Sequence, residues 1–182
     1  MTDTARLIEL IRAKALEFGE FTLASGQKAN FYLDCRKLTL DAEGAVVIAD
    51  AMLSDLQSDW PDAVGGMAVG AVPIVAAILT RAGEQGRTLS GFFVRKEAKQ
   101  HGKGQQIEGP VAAGNRVVIV EDVVTSGGSS VTAIEKCREF GLHVSRVLAI
   151  VDRQAGAAER FAQLGVPFRA LVRLHDLGVA NT

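Results

Sequence analysis

The chain has 182 residues, 48% of them hydrophobic, and a formal net charge of −1. That length and apolar content suit one well-buried α/β domain and exclude a disordered chain or two comfortable domains. Near-neutral charge argues against a general nucleic-acid or membrane-surface binder, and no stretch reaches the ~20 apolar residues of a membrane span.

Taken in order, Leu7, Leu10, Ile11 and Phe18 recur at helical spacing and predict a helix over about 4–18, stopped by Gly19. The N-terminal stretch lacks the unbroken apolar core of a signal peptide, and Cys35 and Cys137 have no metal-binding spacing, so a reducing cytoplasm is expected. Next, FTLASGQKANFYLDCRKL alternates around Ser25-Gly26 and predicts a hairpin of two short strands. Asp41 is placed to cap a helix over 42–56, and Trp60-Pro61 marks a break. From there strand and helix alternate: a strand over 63–69, a helix opened by Pro73 and ending near Gly83, strands over 89–94 and 116–121, and a helix over 128–140 closed by Gly141. A strand over 144–151, a short helix over 155–164 and a last strand over 168–172 complete the series. Near-continuous apolar strands alternating with helices predict an α/β fold: a parallel twisted sheet flanked by helices, with the N-terminal hairpin as a small hood over one end. One domain is expected, with a hood over about 1–40, a core over about 62–155, and a C-terminal strand and tail over 156–182. Cys137 follows Ile134 at core spacing, and His143 and His175, at strand edges, are assigned structural roles.

The stretch Arg116 to Ser130, RVVIVEDVVTSGGSS, carries the chemistry. A buried strand ends in Glu121 and Asp122, then a loop of small residues opens a helix. Small side chains let backbone N–H groups approach a ligand, and a helix N-terminus adds unsatisfied donors, together making a phosphate site. Carboxylates repel phosphate, so two acids beside the cradle imply a ligand that also carries hydroxyls, or a bound Mg²⁺. An ordinary strand–turn–helix capped by Ser129 or Thr125 would leave the adjacent acids unexplained. Neither G-x-x-x-x-G-K-[ST] nor a helix-opening G-x-G-x-x-G occurs, which disfavours P-loop and dinucleotide folds. A second stretch, Arg95 to Gly109 (RKEAKQHGKGQQIEG), has no evident secondary structure and holds Arg95, Lys96, Lys99 and Lys103 within nine residues, with His101 and glycines. A solvated surface loop is one account of such a charge run. Beside a phosphate cradle, a mobile lid closing on a polyanion is the better one.

EDVVTSGGS resembles the phosphoribosyl pyrophosphate (PRPP) motif of type I phosphoribosyltransferases. The resemblance implies that Glu121 and Asp122 contact the ribose hydroxyls while Val123, Val124, Thr125, Ser126, Gly127, Gly128 and Ser129 wrap the 5′-phosphate. R-K-E-x-K-x-H-G-x-G resembles the flexible loop of the orotate phosphoribosyltransferases within that family. It implies that Arg95, Lys96, Lys99 and His101 reach pyrophosphate, with the loop acting across a homodimer interface; Lys103 has no counterpart and is assigned to solvent. FTLASGQKANFY resembles the segment that hoods the base, placing Lys28 toward base, phosphate or solvent. VDRQAG resembles the strand end whose arginine contacts orotate, here Arg153, which otherwise would form a surface ion pair with Asp152 or Glu159. Thr125 is expected to touch the base as well as the phosphate. Some members have Lys where this chain has Ala24, and Tyr-Lys where it has Val69-Gly70, so those contacts fall to backbone or other groups. The implied reaction joins PRPP and orotate to give orotidine 5′-monophosphate and pyrophosphate in pyrimidine synthesis, with Mg²⁺ as cofactor, Lys99 and Asp122 as catalytic residues, and no nucleic-acid or membrane partner. The alternatives are a type I enzyme acting on a purine or uracil, and a non-catalytic PRPP-sensing regulator.

Overall fold

The computed structural model describes residues 3–22, 28–97 and 106–179. It begins with α1 (Asp3–Leu10), continued by a wide turn over Ile11–Ala15, then β1 (Leu16–Thr22) and β2 (Lys28–Leu33), paired antiparallel. A short α2 (Arg36–Thr39) leads to α3 (Ala42–Leu56). The repeating part comprises β3 (Ala63–Met67), α4 (Ala71–Glu84), β4 (Ser90–Val94), β5 (Ile107–Glu108), β6 (Arg116–Val124), α5 (Gly128–Phe140), β7 (His143–Asp152), α6 (Ala157–Gln163) and β8 (Phe168–Arg173). The last turn, Leu174–Leu177, is a 3₁₀ helix.

Six strands form one sheet in the order β5-β4-β3-β6-β7-β8, parallel except for β5. The apolar run of β6 explains why its strand is central. Successive side chains of a strand point to opposite faces. Val118 and Val120 therefore join the layer under α1, α3 and α4, with Met52, Ile74 and Ile78. Val117 and Ile119 join the layer under α5 and α6, with Ile134, Cys137 and Phe161. A strand that must satisfy two cores has no polar face, hence the unbroken hydrophobic run. The cap of α3 is the expected one: Asp41 accepts a hydrogen bond from the Gly44 N–H at 2.9 Å, worth about 1 kcal/mol.

Four expectations are corrected. The first helix stops well before residue 18, because Leu16 to Phe18 pair with Leu33 to Phe31 in the hood hairpin, and cross-strand pairing overrides the helical spacing. The turn of that hairpin lies outside the described residues. The acid-bearing strand does not end at Glu121: it runs to Val124, with Glu121 opposite Ala149 and Val124 opposite Asp152 on β7. The basic loop is not structureless at its base, since β5 pairs with Phe93 and Val94, and the Arg95 N–H donates to the Gln106 carbonyl at 2.7 Å. Finally, α2 and the closing 3₁₀ turn were not foreseen; each is only 4 residues long, too short for a periodic signal.

Candidate active site

The carboxyl ends of the parallel strands, with the hood above them, hold the residues singled out in the sequence. Glu121 and Asp122 are neighbours on β6, and both carboxyls reach the same cavity, beside Gly70. Glu121 is only 5% exposed. Its Oε2 accepts from the hydroxyls of Ser129 (3.0 Å) and Ser130 (3.1 Å) on the first turn of α5. Burial, and then the charge of Asp122, push its carboxyl up to about 7, against the pull of the two serine hydrogen bonds. Asp122 is half-buried, and its Oδ1 accepts from the Val123 N–H at 2.7 Å.

Beyond the acids the strand becomes the loop. Val124 is in the core, and its carbonyl accepts from the Arg153 N–H at 2.8 Å. Thr125 and Ser126 are exposed. Gly127 precedes α5 with φ +76°, and a Cβ there would stand 2.7 Å from the Phe161 ring, so both backbone and packing require glycine. No side chain caps α5, and the Val131 N–H is the one that returns to the Gly127 carbonyl. The amides of Gly128, Ser129 and Ser130 thus open the helix facing the loop, an arrangement suited to a phosphate.

On the other side of Asp122 lies a cavity of about 710 Å³, lined by Tyr32, Asp34 and Arg36 from the hood end, Val69 and Gly70 from the β3–α4 loop, and both acids. The Ala68–Val69 peptide in this loop is cis. A Cβ on Gly70 would stand 3.5 Å from the Asp122 carboxylate and 3.6 Å from that of Glu121. Cys35 also lines the cavity, and burial first, then Asp122 and Asp34, keep its thiol protonated and unreactive. A cavity of about 810 Å³ between α6 and β8 is larger, but its lining, which includes Asp152, Gln154, Arg169 and Arg173, contains none of the nominated residues.

The remaining candidates divide. Arg153 makes neither of the anticipated ion pairs among the described residues; its guanidinium lies over the hood's Phe31 ring, 5.1 Å from the centroid, which ties sheet end to hood. Lys28 is exposed at the start of β2, opposite Thr22. Arg95 pairs with Glu108 at 2.5 Å across the stem of the basic loop, and Lys96 is exposed. Lys99, His101 and Lys103 lie outside the described residues. Sequence reasoning missed Ser130, Asp34 and Arg36. The Asp-x-Arg spacing directly after an alternating strand was a signal for the last two.

An acid pair on a central strand, a small-residue loop and an uncapped helix N-terminus beside a polar cavity together define a phosphoribosyltransferase site. In agreement, residues 40–163 match the phosphoribosyl transferase domain family. The chain is 55% identical to an orotate phosphoribosyltransferase of Rhodopirellula baltica over 97% of its length and 95% of that protein's. It is 45% identical to one of Corynebacterium glutamicum, covering 96% and 94% of the two chains. It resembles the crystal structure of the Mycobacterium tuberculosis orotate phosphoribosyltransferase in complex with PRPP, with a TM-score of 0.83 and 36% identity over 97% of this chain and 99% of that one. The chain belongs to the orotate phosphoribosyltransferase family.

Proposed function

We propose that this chain carries out the family's transfer with the residues just described: PRPP and orotate give orotidine 5′-monophosphate and pyrophosphate. The C1–O bond of the donor breaks with its electron pair leaving on pyrophosphate, and N1 of orotate bonds to C1. Positive charge grows on the sugar while negative charge grows on the leaving group. Nothing in this requires a covalent enzyme intermediate, so the chain acts by positioning and electrostatics.

The observation that carries this reading is the pairing of opposites on one β–α unit: bare helix amides beside two carboxylates. The loop from Thr125 to Ser129 takes the 5′-phosphate on its amides, with Val123 and Val124 at the end of β6 leading into it. Asp122, facing the cavity, takes the ribose hydroxyls, and its charge favours the cationic sugar. Glu121 stands beside it, with one oxygen held by the α5 serines and its carboxyl also lining the cavity. Arg95, Lys96, Lys99 and His101 bring cations to the pyrophosphate as the lid closes, and closure excludes water that would hydrolyse the donor. Arg153, Lys28 and Thr125 receive orotate, whose carboxylate needs a cation. Among the described residues no group of three or more His, Cys, Asp or Glu side chains could hold a metal. The Asp122 carboxylate in the cavity offers a hard oxygen that would suit an Mg²⁺ carried on the substrate's own phosphates. Bound there it would neutralise charge on the leaving group.

A homodimer is supported by exposed apolar side chains near the cavity: Leu40 is 76% and Val69 79% exposed, with Val46 and Val72 on adjoining helices also uncovered. The lid then completes the neighbour's site. No described helix is long and apolar enough to cross a membrane, and a cytoplasmic location fits the reducing environment that two free buried cysteines favour.

Pyrophosphate release from PRPP and Mg²⁺, assayed with orotate, uracil, hypoxanthine, guanine and adenine in turn, tests the reading. Release with orotate alone is expected. Release with another base would reassign the acceptor, and binding of PRPP without turnover would make the chain a sensor. Sedimentation at working concentration checks the dimer, and a fully active monomer would remove the cross-subunit lid.

A further inference from the structure

The cavity beside Asp122 has an unusual charge inventory. Three carboxylates line it, from Asp34, Glu121 and Asp122, and the single cation among the described lining residues is Arg36. The β3–α4 loop brings Val69 and Gly70, neither of which carries charge. Lys28, Lys96 and Arg153 are not part of the lining. On the reading above, the 5′-phosphate sits at the α5 N-terminus and the ribose at Asp122, so the cavity must take the far end of the donor, its pyrophosphate. A polyanion entering a chamber of carboxylates needs a cation in the wall.

Arg36 is built for that task. Its Nε and Nη2 hold Asp34 in a fork at 2.7 and 2.8 Å, and its backbone N–H donates to the same carboxylate at 3.1 Å. Asp34 is itself fixed, with its N–H on the Ala15 carbonyl at 2.9 Å and its side chain only 16% exposed. The arginine is thus anchored along one edge, while its side chain remains 61% exposed and, among the described residues, its other N–H donors make no hydrogen bond. A planar guanidinium with a free edge suits bidentate recognition of phosphate oxygens. Arg36 and the sugar-binding Asp122 line the same cavity.

We propose that Arg36 is a donor-binding residue that receives the pyrophosphate end of the phosphoribosyl donor, held in position by Asp34. The proposal rests on the reaction assigned above, and it makes the hood end a part of donor recognition as well as a cover for the base.

The test separates the two ends of the donor. In Arg36→Ala, the KM for PRPP should rise at least tenfold, and inhibition by pyrophosphate should weaken by a similar factor. Affinity for ribose 5-phosphate, which has the sugar and 5′-phosphate but no pyrophosphate, should stay within twofold. A KM for PRPP within twofold of wild type would overturn the assignment. Equal losses for ribose 5-phosphate and pyrophosphate would overturn it too, as a collapse of the whole site. Should the alanine variant melt early, Arg36→Gln, which keeps a donor toward Asp34, is expected to show the same split. Pyrophosphate binding to wild type and variant is measured without any base, so a wrong acceptor leaves this result intact.

Discussion

At the amino-terminal ends of β7 and β8, Asp55 of α3 is buried between two arginines, with Arg146 at 3.3 Å and Arg169 at 2.6 Å. At the carboxyl end of β6, Glu121 is nearly as well hidden, yet among the described residues the charge that acts on it is that of another acid, Asp122. Asp55 meets its partners as ion pairs more than through well-aligned hydrogen bonds. Its charge is nevertheless compensated within the fold. Among the described residues Glu121 has two serine hydroxyls as partners and no paired cation, and burial together with Asp122 drives its carboxyl upward. A buried charge that the protein neutralises itself stabilises a junction. A buried charge left uncompensated leaves an electrostatic imbalance for a ligand to complete. On the proposed function, the missing cations would come from the developing positive charge on the sugar, from Mg²⁺ and from the lid.

The sharpest way to break this contrast is to remove the cations that the upper site borrows. Lys99→Ala should lower kcat by ~10²–10³-fold, the usual cost of one preorganised donor, with little change in melting temperature. Near-wild-type turnover would detach the lid from the chemistry. Next comes the lower cluster. Asp55→Ala should cost about 3–5 kcal/mol of unfolding free energy, because it strands the Arg146 guanidinium, while kcat and KM of the folded enzyme stay as they are. A urea titration with parallel kinetics reads both, and an activity loss without destabilisation would erase the difference between the two ends. Glu121 should then reveal itself through pH. Its folded-state value, about 7, lies above the ordinary 4.5, so the folded protein favours the protonated form. Stability contributed by this group is greatest below about 4.5 and falls as pH rises toward 7, on the order of 2–3 kcal/mol. Glu121→Gln should flatten that fall in a melting series from acid to neutral pH. An unchanged slope would show that the acid is not buried in the way described.

Much of this site was legible in the sequence because its signals are local. The run Val117–Val120, the acid pair and the helix closed by Gly141 follow one another within a single β–α unit, and were read from short-range rules: an apolar run buried on both faces, small residues that let backbone N–H groups approach a ligand, and a helix N-terminus directly after them. What was not legible depends on contacts between distant segments. Glu121 and Asp122 look equivalent in sequence; both line the cavity, but only Glu121 has an oxygen held by the Ser129 and Ser130 hydroxyls. Arg36 carried only the Asp-x-Arg spacing as a signal, and its significance came from lining one cavity with Val69, Gly70 and the two acids. Leu16 and Phe18 fit both helical and strand periods, and their pairing with Leu33 and Phe31 decided between them. Arg153 had two acids within reach in sequence and took an aromatic ring from the hood instead.

That last contact sets the next prediction. Arg153→Ala should raise the KM for orotate about tenfold, the value of one charge-assisted contact, and alter PRPP affinity far less. Equal losses would make Arg153 a strut for the hood through Phe31 and no more.

The smallest effect tests the division of labour between the two acids. Ser130 is fully buried and its hydroxyl has Glu121 as its partner, so Ser130→Ala removes one donor from an already strained carboxylate. The direct cost should be about 1 kcal/mol of stability, typical of a single hydrogen bond. The more telling consequence is on titration: the serines pull the Glu121 value down, so losing one lets burial and Asp122 push it higher still. If the reaction needs both acids ionised, the acidic limb of the kcat/KM profile should shift to higher pH in Ser130→Ala, with kcat at alkaline pH preserved. A lower plateau with no shift would mean that the serines merely pack the α5 turn, and Glu121 would return to the ribose beside Asp122.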